Sequence, residues 1–136
     1  MQTVSICLND GGRSQSKRQK QKSDCTVIAT AIAFDMSYDD AFDIMNISGR
    51  TNNKGIVYSQ FLKTIPEHCK QEPYVPMYAK DVIVKYPTGK YIIGIKGHVY
   101  VIDNGTVHDT YPWNMWETVY YVWKVVKPFD MEDLLI

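Results

Sequence analysis

Nothing in the bulk composition of this chain is extreme, and what it lacks narrows the chemistry first. Fifteen basic residues are balanced by fifteen acidic ones, for a net charge of zero. No overall field therefore draws the protein to nucleic acid or to an anionic membrane. No apolar run approaches the ~18 residues of a membrane span, so no membrane association is expected. Residues 1–8 are too short for a signal peptide, and polar residues follow them instead of a small-residue cleavage site. Cysteine is scarce: Cys7, Cys25 and Cys69 are an odd three without metal-type pair spacing. Free thiols in a reducing cytoplasm are the simplest expectation. His68 and Cys69 are adjacent, and without a second ligand pair they make a poor metal site. No metal or cofactor is expected, and no internal repeat is found.

What is present describes an ordinary globular chain. Its 136 residues, 45% hydrophobic and 22% charged, predict a single domain over residues 1–136. The basic charge is uneven, with Arg13, Lys17, Arg18, Lys20 and Lys22 crowding one stretch. Residues 9–23 therefore read as a basic, flexible, solvated loop. The other reading of this run is a docking strip for an acidic protein or nucleic acid. Nucleic-acid binding would make affinity fall steeply with salt.

Residues 3–8 alternate weakly, as a short edge strand would. Ser23 or Asp24 is placed to cap a helix that holds Cys25 in its first turn. Val27, Ile28, Ala31, Ile32 and Phe34 make that helix apolar nearly all round, as burial requires. A second helix starts at Ser37, with Asp39 and Asp40 at its positive end and Tyr38, Ala41, Phe42 and Met45 as its apolar stripe. Residues 57–65 predict a third helix, closed by Pro66. Pro73 and Pro76 mark an irregular crossing, and residues 79–86 one or two helical turns. Residues 91–95, 98–102, 106–111 and 119–126 are rich in Val, Ile and Tyr and read as antiparallel strands. Helices first and strands second predict an α+β fold, with the Cys-bearing helix packed on a C-terminal antiparallel sheet.

The chemistry lies in two distant segments. Asn104-Gly105 is a strong hairpin signal. A two-residue turn there pairs Asp103 with Thr106 and Ile102 with Val107, so that His98, Tyr100, Val107, Asp109 and Tyr111 share one face. His98 and Asp109 become diagonal neighbours roughly 7–8 Å apart between backbones, within side-chain reach. A three-residue loop would turn Asp109 to the other face. With Cys25 at a helix start, the set matches a thiol nucleophile, its base and an orienting acid. A free thiol ionises near pH 8.5 or so, and a helix N-terminus or a nearby imidazolium can bring that to ~3.5–7.5. Cys25 would attack a carbonyl carbon, His98 would protonate the leaving group and Asp109 would hold the ring. The Cys25 N–H and a Gln side chain, Gln19 or Gln21, are the candidate oxyanion donors.

Blander readings exist for each part. A lone Cys on an Ala-rich helix is commonly a small buried hydrophobe. A His beside a glycine is commonly structural, and Asp109 has Lys96 and His108 as alternative partners. His108 should face away from His98. Tyr111, Trp113 and Trp116 suit either a substrate groove or packing over the end of the sheet. The three candidates occurring together, in order and each on the right element, favour the catalytic reading.

At these residues the chain resembles the papain-like cysteine peptidase superfamily, and within it a group of small bacteriophage and bacterial proteins. The stretches that carry the resemblance run from Asp24-Cys25-Thr26-Val27 to Ala31-Ile32-Ala33, through Ser37-Tyr38-Asp39-Asp40-Ala41, Gly49-Arg50 and Lys54-Gly55, then from Gly89-Lys90-Tyr91-Ile92 through Gly97-His98 to Val107-His108-Asp109-Thr110. The resemblance implies a papain-like fold with Cys25 as nucleophile, His98 as general base and Asp109 as third member. Gln19 stands six residues before the cysteine, the family's spacing for its oxyanion-hole Gln, although the intervening residues are basic and lack the family's glycines. Ile28 stands where members of the closer group often carry an Arg. The function implied is a phage-encoded cysteine hydrolase of the host cytoplasm, cleaving a peptide or isopeptide bond of a peptide or protein substrate. The alternative is a non-catalytic protein of the same fold that binds a host factor or an acidic partner, since folds of this type host several functions.

Overall fold

A computed structural model describes residues 4–47, 49–51, 54–55, 67–73 and 76–128. The helix expected at residues 57–65, with Pro66, lies outside the described residues. In chain order the elements are β1 (Ile6–Leu8), a 3-10 turn (Arg13–Gln15), α1 (Cys25–Ala33), α2 (Tyr38–Ile47), β2 (Cys69–Gln71), β3 (Met77–Tyr78), α3 (Ala79–Lys85), β4 (Lys90–Ile95), β5 (His98–Asp103), β6 (Thr106–Asp109), β7 (Thr118–Val119) and β8 (Tyr121–Val125). The fold is α+β. Six strands form one sheet in the order β1-β6-β5-β4-β8-β2, and β3 pairs with β7 in a second. Every pairing is antiparallel except that of β1 with β6.

The period-two alternation of β4, β5 and β8 explains how the sheet serves two cores. Ile92, Val99, Val101 and Trp123 face α1 and α2 and pack with Val27, Ala31, Phe42 and Met45. Their neighbours Tyr91, Ile93, Tyr100, Ile102 and Val122 face the other way, onto Ala79, Val82 and Ile83 of α3. Covering both faces is why these strands read as nearly continuous apolar runs. The α2 start follows expectation: Ser37 Oγ accepts the Asp40 N–H at 3.1 Å, and Asp39 and Asp40 occupy the first turn. Among the described residues, no helix is long and apolar enough to cross a membrane.

Two details differ from the sequence expectation. The stretch 119–126 divides, with Thr118 and Val119 in the small sheet and β8 beginning at Tyr121. The stretch 106–111 ends its pairing at Asp109, beyond which the chain bends away. Side-chain periodicity marks where a strand is, whereas the partner each segment finds decides where it stops.

Candidate active site

The hairpin turn sets the site. Asn104 and Gly105 have φ of 46° and 81°, the two positive values of a type I′ turn. Asn104 is tied down twice: its Oδ1 accepts the Gly89 N–H, and its own N–H donates to the Gly89 carbonyl, both at 2.8 Å. The resulting register pairs Asp103 with Thr106, Ile102 with Val107 and Val101 with His108. His98 and Asp109 therefore meet: His98 Nε2 lies 2.8 and 3.0 Å from the two Asp109 carboxylate oxygens. A carboxylate only accepts, so Nε2 carries the proton and Nδ1 is the nitrogen left for the thiol. Asp109 is buried, and its Oδ1 also accepts the Thr110 N–H at 2.7 Å, which fixes the carboxylate plane. His108 projects from the opposite face, where its Nδ1 lies 3.4 Å from Asn9 Nδ2.

Packing of α1 on β5 brings Cys25 to the ring. Cys25 and His98 line the same cleft, close enough for the cysteine to favour the charged form of the ring. Burial works against a charged His98, but hydrogen bonds to Asp109 and Cys25, reinforced by their charges, outweigh it and push the imidazole from 6.5 up to about 9. His98 thus stays cationic across the neutral range. Tyr111 meets the ring edge-on with centroids 5.4 Å apart, and Tyr100 stacks at 6.3 Å. Trp113 donates its indole N–H to Tyr100 Oη at 3.3 Å.

Asp24 occupies the cap position of α1, yet its carboxylate makes no cap hydrogen bond. It accepts instead from Tyr38 Oη at 2.8 Å and from Arg13 Nη1 at 3.1 Å. Burial and the Asp24 carboxylate together raise the Tyr38 pKa, so the phenol remains a donor. The first-turn N–H groups of α1, that of Cys25 included, are left without a side-chain cap. Composition alone suggests a loose 9–23 loop. The structure exposes Lys17, Gln19, Lys20 and Lys22 but anchors Arg13 on Asp24, and Arg18 on Asp39 and Asp43 with its guanidinium 4.0 Å over the Phe42 ring.

An open cleft of about 1510 Å³ runs past Cys25, His98 and Asp109. Gln19, Lys20, Gln21, Tyr111 and Trp113 line it as well. Gln19 is exposed on the rim, whereas Gln21 is half-buried, its Oε1 accepting from Arg50 Nη2 at 3.2 Å. Sequence reasoning did not single out Arg50 as a site residue; its only signal there was the Gly49-Arg50 pair of the resemblance. The other two thiols are placed differently: Cys7 is exposed on β1, and burial pushes the Cys69 thiol from 9.0 up to about 12. Among the described residues, no group of three or more His, Cys, Asp or Glu side chains could hold a metal ion. Compared with family models, with curated proteins and with solved structures, the chain matches none of them. Its function is therefore argued from this geometry.

Proposed function

We propose that this protein is a papain-like cysteine hydrolase that cleaves a peptide or isopeptide bond through an acyl-enzyme. The observation that carries this reading is His98, bonded through Nε2 to Asp109 at 2.8 Å and lining one cleft with Cys25. Cys25, His98 and Asp109, from three separate elements, line one cleft, a set that suits a nucleophile, its base and an orienting acid. The papain-like form of the fold belongs to the same proposal.

In the reaction, the Cys25 thiolate attacks the substrate carbonyl carbon, forming a C–S bond as the C=O electrons move to oxygen. Backbone N–H groups at the start of α1 meet the resulting oxyanion. Collapse of the tetrahedral intermediate breaks the C–N bond, and the His98 imidazolium gives its proton to the departing amine. Neutral His98 then takes a proton from water, and the hydroxide attacks the thioester. Breaking the C–S bond releases the acid and restores the thiolate beside a protonated His98. Asp109 keeps the ring oriented through Nε2 and stabilises its cationic form.

Iodoacetamide mapping tests the reading. Cys25 of the native protein should alkylate fastest of the three thiols at about pH 6, where an ordinary thiol is scarcely ionised, and His98→Ala should abolish the advantage. Alkylation of Cys25 no faster than exposed Cys7, and unaffected by His98→Ala, would refute it and favour a non-catalytic binding protein.

A further inference from the structure

Arg50 is the structure's least expected residue. Its guanidinium is buried, with 2% of the residue exposed, yet among the described residues Nε and Nη1 have no hydrogen-bond partner. Nη2 donates to Gln21 Oε1 at 3.2 Å and to the Lys22 carbonyl at 3.0 Å. The Phe42 ring lies 5.4 Å from the guanidinium carbon. A buried cation with two unmet donors is a poor way to stabilise a fold, since an apolar side chain of similar size does as well or better. What this cation does hold is the chain just upstream of Cys25. A carboxamide carries its oxygen and nitrogen on opposite sides, so fixing Gln21 Oε1 also fixes where its NH2 group points. Gln21 lines the cleft that contains Cys25.

We propose that Arg50 is a positioning residue for the hydrolysis: by holding Gln21 Oε1 and the Lys22 carbonyl, it aims the Gln21 carboxamide nitrogen at the oxyanion that forms on attack by Cys25. The proposal rests on the cysteine-hydrolase reading and deepens it. It selects Gln21, four residues before the nucleophile, over Gln19 at six. Gln19 lines the same cleft but is exposed, and among the described residues it makes no comparable hydrogen bond.

Two reagents separate this role from a structural one. Acylation of Cys25 by p-nitrophenyl acetate builds an oxyanion, whereas alkylation by iodoacetamide does not. Gln21→Ala should slow acylation on the order of 10²-fold, the usual effect of one lost oxyanion donor, and leave alkylation unchanged. Arg50→Lys, which keeps the charge but loses the planar fork, should slow acylation on the order of tenfold through misplacement. In a Gln21→Ala background that second effect should vanish, because Arg50 then has no carboxamide to aim. Wild-type acylation rates in Gln21→Ala would overturn the proposal, as would a slow acylation found in Gln19→Ala instead. An Arg50→Lys effect of equal size with and without Gln21 would also overturn it. Wild-type Cys25 that alkylates rapidly but is never acylated would instead remove the hydrolase reading, and the role of Arg50 with it.

Discussion

Replacing Asp109 by Asn keeps the side-chain shape and removes the charge that faces His98 Nε2 at 2.8 and 3.0 Å. His98 stands at about 9 against an ordinary 6.5, with burial opposing the rise and Asp109 and Cys25 producing it. The hydrogen bond to Asp109 is the leading cause that favours the charged ring. Removing it should therefore lower the midpoint from about 9 toward the ordinary 6.5. The His98 ring-proton resonance, assigned by its loss in His98→Ala, can be followed from about pH 5 to about pH 11 in both proteins. Stability should move with it. Because the folded value exceeds the unfolded one, the stabilisation is fully present below about 6.5 and is lost as pH rises through about 9. At about 1.36 kcal/mol per pH unit, discounted for the partial exposure of the ring, the Asp109→Asn variant should lose roughly 2 kcal/mol at pH 6 or so and much less near pH 10. A wild-type midpoint near 6.5, an unchanged midpoint in Asp109→Asn, or a stability loss independent of pH would refute the reasoning.

Other perturbations read out the supports of the site. Tyr38→Phe removes a hydrogen bond to the buried Asp24 carboxylate and should cost about 1.5–3 kcal/mol, visible as a lower urea midpoint; an unchanged midpoint would mean that this bond is not made. Gly105→Val forces a β-branched residue to φ +81°, at a cost of about 1–3 kcal/mol; thermal melting should show the loss, and the His98 midpoint should fall as the register loosens. Burial holds the Cys69 thiol at about 12, so a native-state reagent at pH 8 or so should spare it and modify it only on unfolding. Peptide mapping that finds native Cys69 labelled as readily as exposed Cys7 would contradict its raised pKa.

Several features were legible without coordinates because short-range rules govern them. Asn104-Gly105 admits a two-residue turn whose positive φ values few other residues tolerate, and the turn sets the register that joins His98 to Asp109. The apolar run after Cys25 and the stripe Tyr38, Ala41, Phe42 and Met45 needed only helical periodicity. Asp24 shows where local rules mislead. Read as a cap, it stands in the cap position, but its carboxylate serves Tyr38 and Arg13, contacts that span 14 and 11 residues. A rule about sequence neighbours cannot see them.

Alternation and turn chemistry are properties of neighbouring residues, so the chain alone determined its α+β character, the hairpin and the meeting of His98 with Asp109. Tertiary structure decided what depends on distant partners: the parallel seat of β1 beside β6, the union of Cys25 with the ring, and the burial of Arg50 against Gln21 and Lys22. The reason is physical. A buried guanidinium leaves no periodic signature, because its place is set by whichever groups the packed core leaves within reach, and those are chosen only when the whole chain closes on itself.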